Sequence, residues 1–222
     1  TEGHIIFDSV RGANERLLAM GTQAEATATG GVNSFDEDGY STGVYTGTNQ
    51  SGQDYVAWCW KAGGAAVSNT DGSITSQVSV NQDAGFSIVS WTGNATGGAT
   101  VGHGLDKSPD FTIVKSRTNS TRPWAVESSV FTGRMLLNTT DAVAQFSHLK
   151  PYTDTVLTLE VGTTSNESGG KYIAYCWAEI EGYSKFGSYV GNGSTDGPFV
   201  YCGFKPAWVM FKRTDTTGNW AI

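Results

Sequence analysis

The side chains able to do chemistry are scattered along this chain. Asp8, Glu127, Glu160 and Glu179 are of the type that glycoside hydrolysis takes from separate strands as a proton donor and a base or nucleophile, and spacing selects no pair among them. His4, His103 and His148 lie outside any helical or hairpin interval of one another, so they offer no zinc spacing. A Gly-x-Ser-x-Gly nucleophile turn is absent. Asp36-Glu37-Asp38-Gly39 makes Asp36 and Asp38 the nearest approach to a calcium site; the full loop pattern is missing, and an Asp-Gly turn accounts for the residues. Gly93-Asn94 and Gly191-Asn192-Gly193 lack the spacing and following helix of a nucleotide loop. The reading is therefore no catalytic residue, no metal and no cofactor. What remains is aromatic. Trp91, Tyr152 and Tyr201 are flanked by turn or polar residues and read as exposed platforms on which sugar rings could stack.

These residues are positioned by a block that occurs twice. Asn49-Gln50-Ser51-Gly52-Gln53-Asp54-Tyr55-Val56-Ala57-Trp58-Cys59-Trp60 returns 117 residues later, from Asn166 to Trp177, with 7 of 12 positions identical. A turn leads into a strand that is apolar on both faces, as a central strand covered on both sides would be. Trp58, Cys59, Trp60, Cys176 and Trp177 are accordingly expected in the core, and Trp124 with them.

A second register links the repeats. The run from Gly85 to Asn94 matches that from Gly182 to Asn192, Pro109-Asp110-Phe111-Thr112-Ile113-Val114-Lys115 matches Pro206-Ala207-Trp208-Val209-Met210-Phe211-Lys212, and Trp124-Ala125-Val126 matches Trp220-Ala221-Ile222. The expected fold is all-β: tandem antiparallel β-sandwich modules in circularly permuted register. Residues 85–181 form one complete module, residues 1–64 the last two thirds of a copy, residues 65–84 an inserted connection with one surface strand, and residues 182–222 the first third of a further copy. The two partial copies are complementary. They could belong to a longer array, close on each other within the chain, or complete a neighbouring chain.

Composition agrees. The 222 residues include 29 Gly and only 16% charged side chains, which suits short strands and tight turns. A net charge of −7 removes the electrostatic footprint of a nucleic-acid binder, the apolar runs are strand-sized rather than membrane-spanning, and no signal-peptide pattern stands at Thr1. Cys59 and Cys176 occupy equivalent positions and Cys202 has no evident partner, so all three read as core thiols with no disulfide framework.

Taken as a set, the Tyr-x-Ala-x-Cys-Trp strand followed by Lys61-Ala62-Gly63-Gly64, the Asn69-Thr70-Asp71-Gly72 turn, the Gly85-Phe86-Ser87-Ile88-Val89 run and Gly102-His103-Gly104-Leu105 resemble an uncharacterised tandem β-domain of marine bacteriophage structural proteins, notably cyanophage-like ones. The resemblance spans the chain and implies a virion setting, a tail fibre or surface appendage, whose partners would be copies of itself or other virion proteins; host-surface glycans are a further partner expected from the aromatic platforms. It carries no catalytic motif. Cys202-Gly203-Phe204 replaces His103-Gly104-Leu105 in the later copy, so a role for His103 is not shared.

Overall fold

The computed structural model describes residues 3–145, 152–160, 162 and 164–222. His148 lies outside the described residues. In chain order the strands are β1 (Ile5–Ile6), β2 (Glu15–Leu18), β3 (Ala26–Thr27), β4 (Ser34–Phe35), β5 (Tyr40–Ser41), β6 (Val67–Asn69), β7 (Ser76–Asn81), β8 (Phe86–Thr92), β9 (Thr100–Gly102), β10 (Phe111–Ser116), β11 (Ala125–Ser128), β12 (Met135–Leu136), β13 (Val156–Thr158), β14 (Lys171–Trp177), β15 (Phe211–Lys212) and β16 (Trp220–Ala221). One helical turn, α1 (Thr46–Asn49), precedes β6. The protein is all-β and its ladders are antiparallel.

A seven-stranded sheet, ordered β12-β11-β10-β14-β8-β7-β6, carries the structure. β14 is its middle strand, paired with β10 from Ser116↔Tyr172 to Phe111↔Trp177 and with β8 along its whole length. Alternation sends Tyr172, Ala174 and Cys176 to one face, where they pack with Val89, Trp91, Val114, Leu157 and Leu159 under the β9–β13 pair. Ile173, Tyr175 and Trp177 go to the other face, against Ile88, Trp124, Val126 and Leu17 of β2. Both faces of β14 are covered, which is why an uninterrupted apolar run is stable there.

Several expectations are corrected. Trp58, Cys59 and Trp60 were placed in the core, but residues 54–60 form no strand and all three side chains are exposed. The block matches β14 residue for residue but has no β8 or β10 beside it, and a lone strand cannot satisfy its backbone or bury its faces. Residues 65–84 are no mere connection: β6 and β7 extend the main sheet, and Ser76, Val78 and Ser79 are buried because β8 and β6 flank them. Trp91 is no exposed platform either. Its ring lies buried against Tyr172, centroids 5.5 Å apart, and its Nε1 donates to Ser165 O at 2.9 Å. Asp36 and Asp38 stand exposed in the β4–β5 hairpin, whose turn is closed by Asp36 N to Gly39 O.

Cys176 is fully buried between Ser87 and Thr112 on the neighbouring strands, and burial pushes its thiol up to about 12. Alkylation of the folded protein at about pH 8 is expected to spare Cys176 until denaturant is added, since only the thiolate reacts. Intact mass after timed labelling reads this directly; Cys176 modified as fast in the native as in the denatured protein would contradict the burial.

Candidate functional site: a repeated interface

The N-terminal hairpin β1–β2 packs on the main sheet through one set of contacts. Trp124 Nε1 donates to Leu18 O at 2.9 Å, Lys115 Nζ donates to Thr22 O at 3.0 Å, and Glu25 N donates to Arg117 O at 2.9 Å. The same three bonds occur again at the other end of the chain. Trp220 Nε1 donates to Leu136 O at 3.0 Å, Lys212 Nζ to Thr140 O at 3.4 Å, and Val143 N to Thr214 O at 3.0 Å. The partners on the β2 and β12 side are 118 residues apart in all three pairs, and those on the strand side are 96, 97 and 97 apart. Both lysines also donate to the next carbonyl, Ser116 O and Arg213 O, at 2.8 Å.

The elements behind these contacts are equivalent too. β1 pairs with β2 as Ile5↔Leu18 and Ile6↔Leu17, and β11 with β12 as Ala125↔Leu136 and Val126↔Met135. β15 pairs with β16 as Phe211↔Ala221, which repeats Val114↔Ala125. The turn before the duplicated block is also copied. Gln50 N donates to Tyr55 Oη and Glu167 N to Tyr172 Oη, with Gly52 and Gly169 in the left-handed region at φ +77° and +72°, where glycine carries no penalty.

A buried charge network fastens the first interface. Arg11 donates through Nε to Asp8 Oδ2 at 2.5 Å and through Nη1 to Glu25 at 3.2 Å, and Arg117 grips Glu25 with two bonds of 2.8 and 2.9 Å. Tyr175 Oη of β14 donates to Asp8 Oδ2 at 2.6 Å. Burial alone would lower the Arg11 pKa; the negative charges of Asp8 and Glu25 outweigh it and the net shift is upward. Burial drives the Tyr175 phenol well above its ordinary value, so it is a permanent donor to Asp8. Lys115, fully buried among backbone carbonyls, is lowered to about 8 by burial.

The other residues singled out by the sequence are dispersed. Glu127, fully buried, accepts from Tyr152 Oη at 3.2 Å, and Tyr152 packs against the β9–β13 side of the core instead of facing solvent. Asp8 and Glu127 thus lie on opposite faces of the sheet, each engaged by a tyrosine. Glu160 is exposed and Glu179 pairs with Lys185 at 2.6 Å. His103 is buried, Nε2 at 3.1 Å from Thr153 O, and burial lowers its pKa. Tyr201 is 76% exposed; Trp124 and Cys176 are fully buried and Trp177 is half-buried. Among the described residues no three His, Cys, Asp or Glu side chains converge on a metal position, and no helix is long and apolar enough to cross a membrane. An open depression along Thr118, Asn119, Ser120 and Glu167–Gly170 is lined by polar groups and includes none of Trp91, Tyr152 and Tyr201.

The interface network of Asp8, Arg11, Glu25, Lys115 and Arg117 was missed by the sequence reading. Its signal was a lysine ending an otherwise apolar strand in both copies, Lys115 and Lys212, followed by the recurrent Trp-Ala pair.

Comparison with known proteins bears on the whole chain at once. A family model described as a domain of unknown function (DUF7483) matches residues 1–222. The chain belongs to this family. No curated protein and no solved structure is matched. Both copies of the contact set lie within the matched residues.

Proposed function

We propose that this DUF7483 chain is a non-enzymatic structural protein made of tandem antiparallel β-sandwich modules in permuted register, with residues 85–181 as the complete module and residues 1–64 and 182–222 as partial copies. Its role is that of a rigid spacer and host-adhesion unit in a bacteriophage tail fibre or other surface appendage, outside the cell and exposed on the virion. The observation that carries this reading is the recurrence of the same three hydrogen bonds at both ends of the chain. A joint made twice holds the complete module and its partial copies in one fixed arrangement, which is what a rigid structural unit requires. The acidic, sparsely charged, glycine-rich composition and the resemblance to phage structural domains support the same setting.

Electron microscopy of intact particles labelled with antibody against the chain tests the role: label on a fibre or appendage is expected, and label confined to non-particulate protein would overturn it. A second reading, a module for host-surface glycans, is favoured by Tyr201 standing 76% exposed beside Phe199. A glycan array probed with wild-type and Tyr201→Ala protein separates the two. Signal that Tyr201→Ala lowers about fivefold or more selects glycan binding, since a stacked ring contributes on the order of 1 kcal/mol.

A further inference from the structure

Large apolar side chains are concentrated on two stretches that form no main-sheet strand. Tyr55, Val56, Trp58 and Trp60 are exposed on one, and Tyr183, Tyr189, Phe199, Tyr201, Trp208, Val209 and Phe211 on the other. The first stretch is the counterpart of β14. The second contains the counterparts of β8 and β10, the two strands that enclose β14 in the main sheet. Each stretch is missing what the other supplies.

Contacts between equivalent residues fix how the two halves are related. The interface bonds are reciprocal: Trp124 bonds to Leu18 at the end of β2 while Trp220, its counterpart, bonds to Leu136 at the end of β12. Trp60 and Trp177, counterparts of each other, meet edge to face with centroids 6.1 Å apart. In an open head-to-tail stack a residue faces a different position on its neighbour, whereas around a two-fold axis contacts are exchanged and a residue near the axis meets its own counterpart. Trp60 also lies 6.2 Å from Trp208, repeating the 5.6 Å contact of their counterparts Trp177 and Phe111. The Tyr189–Phe211 contact at 6.4 Å brings together the counterparts of Trp91 and Val114, which share the β9–β13 core.

We propose that residues 182–222 and 1–64 of one chain are the two parts of a single second module, related to residues 85–181 by a pseudo-two-fold axis passing beside Trp60 and Trp177, and that residues 54–60 insert between residues 183–189 and 208–212 to close it. The register follows from the main sheet: Trp60 opposite Trp208, as Trp177 is opposite Phe111, and Cys59 opposite Val209, as Cys176 is opposite Thr112. Closure buries both rows of aromatic side chains and pairs both sets of backbone groups. The occupant of each incomplete sheet is thus the other end of the same chain.

The proposal rests on reading the ends as partial copies, and a disulfide trap separates the two ideas. In a Cys202→Ser background, Val209→Cys faces the native Cys59, whereas Met210→Cys points to the opposite face. Under mild diamide oxidation, the Val209→Cys chain is expected to lose two thiols while staying monomeric, about tenfold or more faster than the Met210→Cys chain, because only facing Cβ atoms reach disulfide distance. Covalent dimers joined through Cys59 and Val209→Cys would overturn closure within the chain and leave the partial copies standing. No disulfide at either position, with Cys59 still reactive to alkylation, would overturn the register and the partial copies together.

Discussion

Trp124→Ala is expected to lower stability by about 3–5 kcal/mol, the range for removing a large aromatic from a packed core. The ring is fully buried between Leu17, Val126 and Ile173, and its Nε1 is the donor to Leu18 O across the interface. The substitution opens a cavity and also loses the bond to Leu18 O, a carbonyl that keeps the Gly21 amide as a donor at 3.4 Å. Trp124→Phe separates the two effects: it retains most of the volume and loses only the bond, at about 1–3 kcal/mol. The matching change Trp220→Ala should cost less, because Trp220 is half-buried and its strand pair is short. Urea denaturation of the three variants reads all of this. A Trp124→Ala midpoint equal to wild type would show that the β1–β2 hairpin is not held on the sheet as described.

The second large effect is expected from Arg11→Ala, at about 3–5 kcal/mol, because removing one partner of a buried ion pair leaves the other charge uncompensated. Arg11 and Asp8 are both almost free of solvent, and Asp8 would keep only Tyr175 Oη and its own turn amides as donors. Glu25 is less affected, since Arg117 still holds it in two bonds. Asp8→Asn in the Arg11→Ala background should recover part of the loss. A double-mutant cycle therefore gives a coupling well below additivity, and additive costs would mean the pair does not form.

Sequence periodicity was enough to find β14 and to state that both its faces are covered, since Tyr172, Ala174 and Cys176 alternate with Ile173, Tyr175 and Trp177 whatever lies beside them. The near-identical residues 54–60 show the limit of that reasoning. A strand exists only with its neighbours, and the same residues read as strand or as exposed segment according to what pairs with them. Trp91 and Tyr152 were misplaced for a related reason. Polar and turn residues flank them in sequence, but Ser165 and Glu127, which satisfy their polar atoms, come from 74 and 25 residues away. The interface was half visible: Lys115 with Lys212 and Trp124 with Trp220 recur in the sequence, whereas backbone carbonyl acceptors leave no mark in residue identity.

That last asymmetry bears on how such a chain can change over generations. On one side of the joint the requirement is two side chains, a lysine and a tryptophan; on the other it is met by the carbonyls of Leu18 and Thr22, or of Leu136 and Thr140, which every residue type carries. A duplicated or recombined segment arrives with these bonds already built in, and side chains of the receiving side are called on only where a network such as Asp8, Arg11 and Glu25 is added. Copies can therefore drift apart in sequence, as Glu25 and Val143 have, while the angle at which they lock together is inherited unchanged.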